Sequence, residues 1–407
     1  MKRPTVHVIG AGLSGLSAAA HLATHARFEI VVHERGREAG GRRRAFFDET
    51  DGTYVDSVNA VAWPHWRATR ALIAAIGAEP EWREGSREIA FVDMRTAERW
   101  TLRPGSGRRP WWALLAKRRA PGLAARDYFD LARLGRGAVV PTGGRAAERL
   151  WRPLSFAALN LAPENAALEL LAGELEEALA APKLTLLHPR RDLGHALLLP
   201  LTQHLERQGV AIRYERALQA LRFDRDRVAG MEFAHDRVEL GPRDAVLLAV
   251  PPWVAAPLTP GLLAPDAFTA AITAHYSDLP PLEAPDLTCV INGPVHGVFK
   301  RAGGVSVTVR DADADLETPK EALAAKYWSA VAAVTGLSDV LPAWRLIKQK
   351  RAAFAATPAQ NALRPEPMTA WRNLALAGAY VRDGLPESME TAVRSGERAA
   401  QCLAEAL

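Results

Sequence analysis

Gly10, Gly12 and Gly15 stand at G-x-G-x-x-G spacing, and Glu34 follows about 20 residues later. Residues of these types at this spacing serve to hold a diphosphate and a ribose. A glycine at position 10 permits a tight turn. One at position 12 lets backbone approach a pyrophosphate, and one at position 15 lets helix and strand pack closely. An acid at position 34 accepts hydrogen bonds from ribose hydroxyls and would repel a 2′-phosphate, which disfavours NADP. Such residues need a strand, a turn, a helix and a second strand to position them. Val6-His7-Val8-Ile9 is a short β-branched strand, Leu16 to Thr24 reads as the helix, and Glu29 to His33 reads as the next strand. The N-terminus of that helix offers free N–H groups and partial positive charge to phosphates, and Leu13 and Ser14, in the turn before it, join the expected cofactor-contacting residues.

Two further clusters extend the expected ligand beyond a simple dinucleotide. Gly40-Gly41-Arg42 follows Glu34 and Arg35 closely, and offers a second backbone approach plus a guanidinium. Near the chain end, Gly378 follows the apolar strand Leu374 to Ala377, and a helix starts after Pro386 with Met389 in its first turn. A helix N-terminus there would face the flavin N1–C2=O edge, which gains negative charge on reduction. These features favour FAD over NAD. Leu218, opening one of the internal strands, completes the expected cofactor-contacting set.

Organisation along the chain follows from the same elements. Three segments, 1–60, 190–255 and 370–407, read as one discontinuous FAD-binding domain. The middle one carries strands at Ala211 to Tyr214, Leu218 to Phe223, Val228 to Phe233 and Ala245 to Val250. Residues 61–189 and 256–369 form an inserted substrate domain, in which 61–190 and 256–345 read as longer helical stretches. The fold class expected is α/β: a discontinuous Rossmann-type FAD domain interrupted by an inserted α+β substrate domain.

Composition limits the alternatives. The chain has 407 residues, 48% apolar and 24% charged, enough for a sizeable core. Two cysteines, Cys289 and Cys402, rule out a disulfide framework and suit a reducing cytoplasm. The net charge of +5 comes without a nucleic-acid motif, so no nucleic-acid partner is expected. Met1-Lys2-Arg3 before an apolar run imitates a signal peptide, but the three glycines make that run domain structure. No apolar stretch is long enough to span a bilayer; Ala245 to Leu258 is broken by Pro251-Pro252. Asp311-x-Asp313-x-Asp315 has Leu316 and Ala322 where a calcium loop needs Gly and Glu. His33-Glu34 is followed by Arg37 where a zinc helix needs His, and no G-x-S-x-G elbow occurs, so no metal is expected.

The N-terminal fingerprint, Gly40-Gly41-Arg42 and the terminal Met389-Glu390-x-Ala392-Val393-x-Ser395-Gly396-x-x-Ala399-Ala400 pattern resemble the flavin amine oxidase and phytoene desaturase superfamily. Three further stretches are similar to the squalene-associated FAD-dependent desaturases, or hydroxysqualene dehydroxylases of hopanoid synthesis. They are Trp151-x-Pro153-Leu154 with Ala158-Leu159-Asn160; Lys350-Arg351-Ala352-x-Phe354-Ala355-x-Thr357-Pro358; and Trp371-Arg372-Asn373-Leu374 with Gly384-Leu385-Pro386. The resemblance implies reduction of hydroxysqualene to squalene, with hydride delivered from flavin N5 and the hydroxyl leaving as water. A polyprenoid substrate follows; the electron donor that recharges the flavin has no signature in the chain. The family pattern places an acid after the glycine aligned with Gly378, where this chain has Ala379. It also carries Asp-Asn-Gly-Gln-His where this chain reads Asp56-Ser57-Val58-Asn59-Ala60. Asp56, Glu387 and Glu390 are the candidate proton donors. Asp56 comes first because a carboxyl in a dry tunnel can stay protonated; Glu390 suits helix-start electrostatics better. His195, His275 and His296 read as structural. Two other readings stay open: a carotenoid-type desaturase or flavin amine oxidase, and a non-catalytic member binding FAD or a polyprenoid.

The stretch from Arg108 to Arg119, Arg-Arg-Pro-Trp-Trp-Ala-Leu-Leu-Ala-Lys-Arg-Arg, interleaves tryptophan and leucine with cations. That mix suits the headgroup boundary of an anionic membrane, and a cytoplasmic protein bound peripherally to the inner face is one expectation. A surface helix packing its Trp-Leu face inward is the other.

Overall fold

The computed structural model describes residues 3–48, 52–86, 88–105, 107, 109–134, 140–141, 143–181, 185–301 and 303–407. A five-stranded, all-parallel sheet organises one half of the molecule. In spatial order its strands are Leu374–Leu376, Ala245–Leu248, Thr5–Ile9, Glu29–His33 and Ala211–Arg213. Three separated stretches of chain therefore build one sheet. Thr5–Ile9, Ala245–Leu248 and Leu374–Leu376 are buried at every residue, as parallel strands covered on both faces must be.

Helix Leu13–Ala23 and the terminal helix Met389–Ala406 pack together on this sheet. Gly396 makes their approach possible, since a Cβ there would lie 2.2 Å from the Ser14 carbonyl oxygen. Ser388 caps the terminal helix by accepting from Thr391 N. Glu390 does a different job from the one its position suggests. Its carboxylate accepts from Ala68 N and Thr69 N, at 2.9 and 2.8 Å, and so caps the neighbouring helix Arg67–Ala75.

The other half is built on a seven-stranded sheet. Its order is Trp344–Phe354, Phe268–Tyr276, Gly304–Arg310, Gly297–Arg301, Leu287–Ile291, Ile89–Asp93 and Arg99–Leu102. Only Leu287–Ile291 and Ile89–Asp93 run parallel. This corrects the helical reading of 256–345, where the helices among the described residues are Lys320–Thr335, the single 3₁₀ turn Asp313–Asp315 and the end of Pro252–Leu258. The run Val305-Ser306-Val307-Thr308-Val309 alternates β-branched residues with period two, which is a strand signal that general apolarity had masked. Strands Trp82–Glu84, Ile89–Asp93, Arg99–Leu102 and Leu187–Pro189 likewise interrupt the helices of 61–190.

Candidate functional site

A cavity of about 750 Å³ runs from the end of the parallel sheet to the face of the seven-stranded one. Of the expected cofactor residues, Gly10, Gly12, Leu13, Ser14, Glu34, Arg35, Gly40, Gly41, Arg42, Leu218, Gly378 and Pro386 line it. Gly15 and Met389 do not. Gly15 sits beneath the turn, where a Cβ would meet the Gly10 carbonyl oxygen at 2.0 Å. Met389 is fully buried in the core under the terminal helix, so its side chain packs instead of facing a ligand.

The turn is built tightly around open space. Gly10 has φ +106, and a Cβ on it would lie 2.6 Å from Ala249 O. Gly10 N donates to His33 O, and Gly40 N donates to Ala11 O, both at 2.8 Å. The first bond ties the turn to strand Glu29–His33, and the second pins the second glycine loop against that turn. Gly12 differs from its neighbours: its backbone is ordinary, φ −73 and ψ 171, and the nearest protein atom to a Cβ there is Gly41 Cα at 4.0 Å. Neither strain nor protein crowding demands a glycine at 12. The helix it opens has no side-chain cap, which leaves first-turn N–H groups for an anion. Both observations fit a pyrophosphate. Glu34 is fixed at the strand end by accepting from Ala11 N at 2.8 Å and Gly36 N at 2.7 Å, and its carboxylate keeps lone pairs for a ribose. Beside it, burial pushes His33 down to about 3, so the ring is neutral. Arg216 Nε donates to His33 Nδ1 at 3.1 Å.

At the other end, Arg42 forms an ion pair with Glu387, and Glu387 also accepts from Phe354 N at 2.8 Å. A carboxylate so held is not a free acid. Ala379 lies in the cavity wall beside Gly378. Its carbonyl accepts from the buried Arg364, which also donates to the carbonyls of Tyr380, Val381 and Leu385. Among the cations on the wall, burial pushes Arg43 and Arg310 down to about 10, so both remain charged at neutral pH.

Asp56 is not in the cavity wall. Its carboxylate accepts from Leu193 N at 2.8 Å and lies 3.6 Å from Arg301, and burial raises it to about 6. Its backbone carbonyl accepts from His275 Nε2. The raised acidity expected of it is present, but it faces protein, so this structure gives no contact through which it could protonate a substrate. Its neighbour Asn59 does reach the cavity, tied to Thr308 and Arg301. His195 pairs with Asp192, and His296 accepts from Arg310 N; neither is free.

The cavity wall also holds a pair that no motif pointed to. His65 Nε2 lies 2.7 Å from Glu174 Oε1, and Trp66 Nε1 donates to the same oxygen at 3.1 Å. All three residues line the cavity among Trp63, Leu171 and Leu175. His65 and Glu174 are 109 residues apart, so spacing gives no sign of them; the only local signal is the aromatic run Trp63-Pro64-His65-Trp66.

Comparison with known proteins agrees with this architecture. The family model for flavin containing amine oxidoreductases matches residues 13–279 and 298–404. A hydroxysqualene dehydroxylase of Rhodopseudomonas palustris is 40% identical, with 97% of each chain covered. The chain belongs to the hydroxysqualene dehydroxylase family of flavin-containing amine oxidoreductases. A second such relative, from Sinorhizobium fredii, is 38% identical over 97% of each chain. A solved putrescine oxidase variant aligns with TM-score 0.70 at 16% identity, over 99% of this chain and 100% of its own, and so shares the fold. This dehydroxylase-family chain is an FAD-dependent oxidoreductase.

Position 379 gives a first prediction. In Ala379→Asp, a carboxylate facing the cavity would accept from flavin-chain hydroxyls, with Arg364 close enough to offset its charge. FAD affinity is expected to rise by about 1–3 kcal/mol. Unchanged or weaker affinity in a flavin titration would mean another group already fills that role.

Proposed function

We propose that the protein reduces hydroxysqualene to squalene. The observation that carries this reading is one continuous cavity joining a pyrophosphate cradle to an apolar chamber, in a chain whose relatives are named for that reaction. The cofactor, when bound, supplies the hydride that replaces the hydroxyl. The protein's part is to hold, orient and keep dry. Leu102, Leu150, Leu154, Leu171, Leu175 and Leu258 give the chamber its hydrocarbon lining, suited to a long polyprenoid. Trp63, Trp66 and Tyr380 offer aromatic faces to the positive charge that develops as an allylic C–O bond breaks. Arg43 and Arg310, charged on the cavity wall, would stabilise the negative charge of a reduced cofactor. The division into a cofactor unit (1–60, 190–255 and 370–407) and a substrate unit (61–189 and 256–369) belongs to this reading; the sheet shared by the three cofactor segments supports it. The test is anaerobic: chemically reduced, FAD-loaded protein with labelled hydroxysqualene. Labelled squalene is the expected product, and intact alcohol beside reduced flavin would sink the assignment.

We also propose that the substrate arrives from an anionic membrane surface. Residues 111–118 are two single 3₁₀ turns, Trp111–Leu114 and Ala116–Arg118, not a surface helix. Arg108 lies outside the described residues. Trp111, Leu114 and Leu115 are 58%, 58% and 51% exposed, close in sequence to Arg109, Lys117, Arg118 and Arg119. Trp112 instead turns inward, lining the cavity and packing edge-on against Tyr128 at 5.1 Å. Exposed apolar residues flanked by cations, with their neighbour in the cavity wall, support interfacial docking beside the substrate route. No described helix is long and apolar enough to cross a membrane. Replacing Trp111, Leu114 and Leu115 together by serine should release the protein from anionic vesicles at low salt. A parent protein that does not sediment with those vesicles would show that the patch is ordinary surface.

A further inference from the structure

Among the described residues, five buried polar atoms of the cavity wall lack a protein hydrogen-bond partner: His65 Nδ1, Trp112 Nε1, Asn160 Oδ1, Glu174 Oε2 and Tyr380 Oη. Of these residues, His65 and Glu174 form a hydrogen-bonded acid–base pair. His65 is only 5% exposed, and its Nδ1 has no hydrogen-bond partner. Glu174 Oε1 accepts from two donors, while its Oε2, also buried, has none. An unpaired nitrogen and an unpaired carboxylate oxygen in an apolar chamber are costly unless a ligand engages them.

Both residues are anchored to the cofactor end of the cavity. His65 lies two residues before helix Arg67–Ala75, whose Ala68 and Thr69 amides are gripped by Glu390 in the first turn of the terminal helix. Glu174 follows Gly173, where a Cβ would lie 2.5 Å from the Gly384 carbonyl oxygen, on the loop leading into that same turn. Gly378, Pro386 and Ser388 of this loop and turn line the cleft beside the expected flavin.

We propose that His65, held by Glu174, is the acid that protonates the departing hydroxyl. The inference rests on the dehydroxylase reading above. With Nε2–H donating to Glu174 Oε1, the imidazolium presents its second proton from Nδ1 toward the chamber. The C–O bond breaks and its electron pair stays with oxygen, which takes the Nδ1 proton and departs as water. The hydride that the carbon then needs is what a two-electron-reduced flavin, held by Gly10, Gly12, Glu34 and Gly378, would supply at the cost of its own two electrons. His65 is left neutral and regains its proton from water before the next turnover. His65 is the catalytic residue of this step. Glu174 is a positioning residue, fixing the ring's tautomer and orientation.

The test uses reduced, FAD-loaded holoenzyme and hydroxysqualene. His65→Ala should lower turnover by roughly 10²–10⁴-fold, the usual contribution of a positioned acid. Its visible flavin spectrum should be unchanged, and added imidazole should restore part of the activity. Glu174→Gln should lower kcat with little change in KM, because the ring loses the carboxylate that orients it, and Glu174→Asp should restore part of the loss; a purely structural role would raise KM as well. A readout independent of turnover is quenching of tryptophan fluorescence by ligand. His65→Ala should weaken binding of the alcohol while leaving squalene binding intact. Active parent enzyme with a His65→Ala variant within threefold of it would overturn the acid alone. A loss that imidazole does not rescue, with squalene binding impaired equally, would assign His65 a packing role and also overturn it. Inert parent enzyme, folded and flavin-loaded, would bring down the dehydroxylase reading and the acid with it.

Discussion

Replacing Gly12 with leucine is expected to give a folded protein that retains no flavin. The expectation rests on what distinguishes Gly12 from the glycines around it. Gly10 needs its positive φ, and Gly15 cannot carry a Cβ without displacing the Gly10 carbonyl, so substitutions at either strain the protein itself. Gly12 has a backbone any residue adopts, and a Cβ on it would have its nearest protein neighbour 4.0 Å away. A leucine there projects into the space before the uncapped helix N-terminus, where the pyrophosphate belongs. Flavin absorbance should therefore vanish from the purified variant. Thermal unfolding should be compared with parent protein stripped of flavin, because a bound ligand stabilises by mass action and its loss alone lowers the midpoint. A midpoint matching the stripped parent isolates the effect to the ligand site. Retained flavin at the parent's stoichiometry would falsify the placement of the cofactor.

The contrast among these glycines shows why some of the site is legible in sequence. The cradle is local: one turn, one helix start and one strand end, with all its geometry encoded within about 30 residues, the length of a βαβ unit. Gly378 and Pro386 were readable for a similar reason, since a strand, a glycine and a proline-marked helix start carry their own signals. Asp56 was not readable in the same way. Its burial raises its pKa as a dry carboxyl's should rise, but which way a buried side chain faces depends on distant residues, here Leu193 and Arg301. His65 and Glu174 meet only because the terminal helix and the loop before it grip both of their elements. No periodicity or motif reports such a junction. The strands of 268–310 were lost for a simpler reason: alanine and valine runs satisfy helical and strand patterns alike when read without their partners.

Arg364→Leu is expected to destabilise the protein by about 3–5 kcal/mol and to weaken flavin retention with it. Arg364 is 2% exposed, and burial pushes it down to about 10, so it is buried as a cation at neutral pH. Its charge is compensated by oxygen atoms arranged around the guanidinium fork. The Leu385 and Val381 carbonyls accept at 2.9 and 2.8 Å, those of Tyr380 and Ala379 at 3.2 and 3.3 Å, and Asn361 Oδ1 at 3.3 Å. Leucine can fill much of the space beside Phe354 but donates nothing, which leaves carbonyls in the loop without partners. Each unsatisfied buried acceptor costs about 1–3 kcal/mol, and the total stays below the full sum because relaxation admits water to some of them. Arg364→Lys should lie between parent and leucine variant, since an ammonium supplies charge but cannot bridge four carbonyls with one planar fork. The loop concerned is the one that brings Gly378, Ala379 and Pro386 to the cavity, so its loosening should appear as faster flavin loss at temperatures well below unfolding. Urea unfolding and flavin release measured on the same samples separate the two effects. A leucine variant as stable as the parent would mean the carbonyls find solvent without cost, and the loop's order would then have to come from packing of Leu385 and Tyr380 alone.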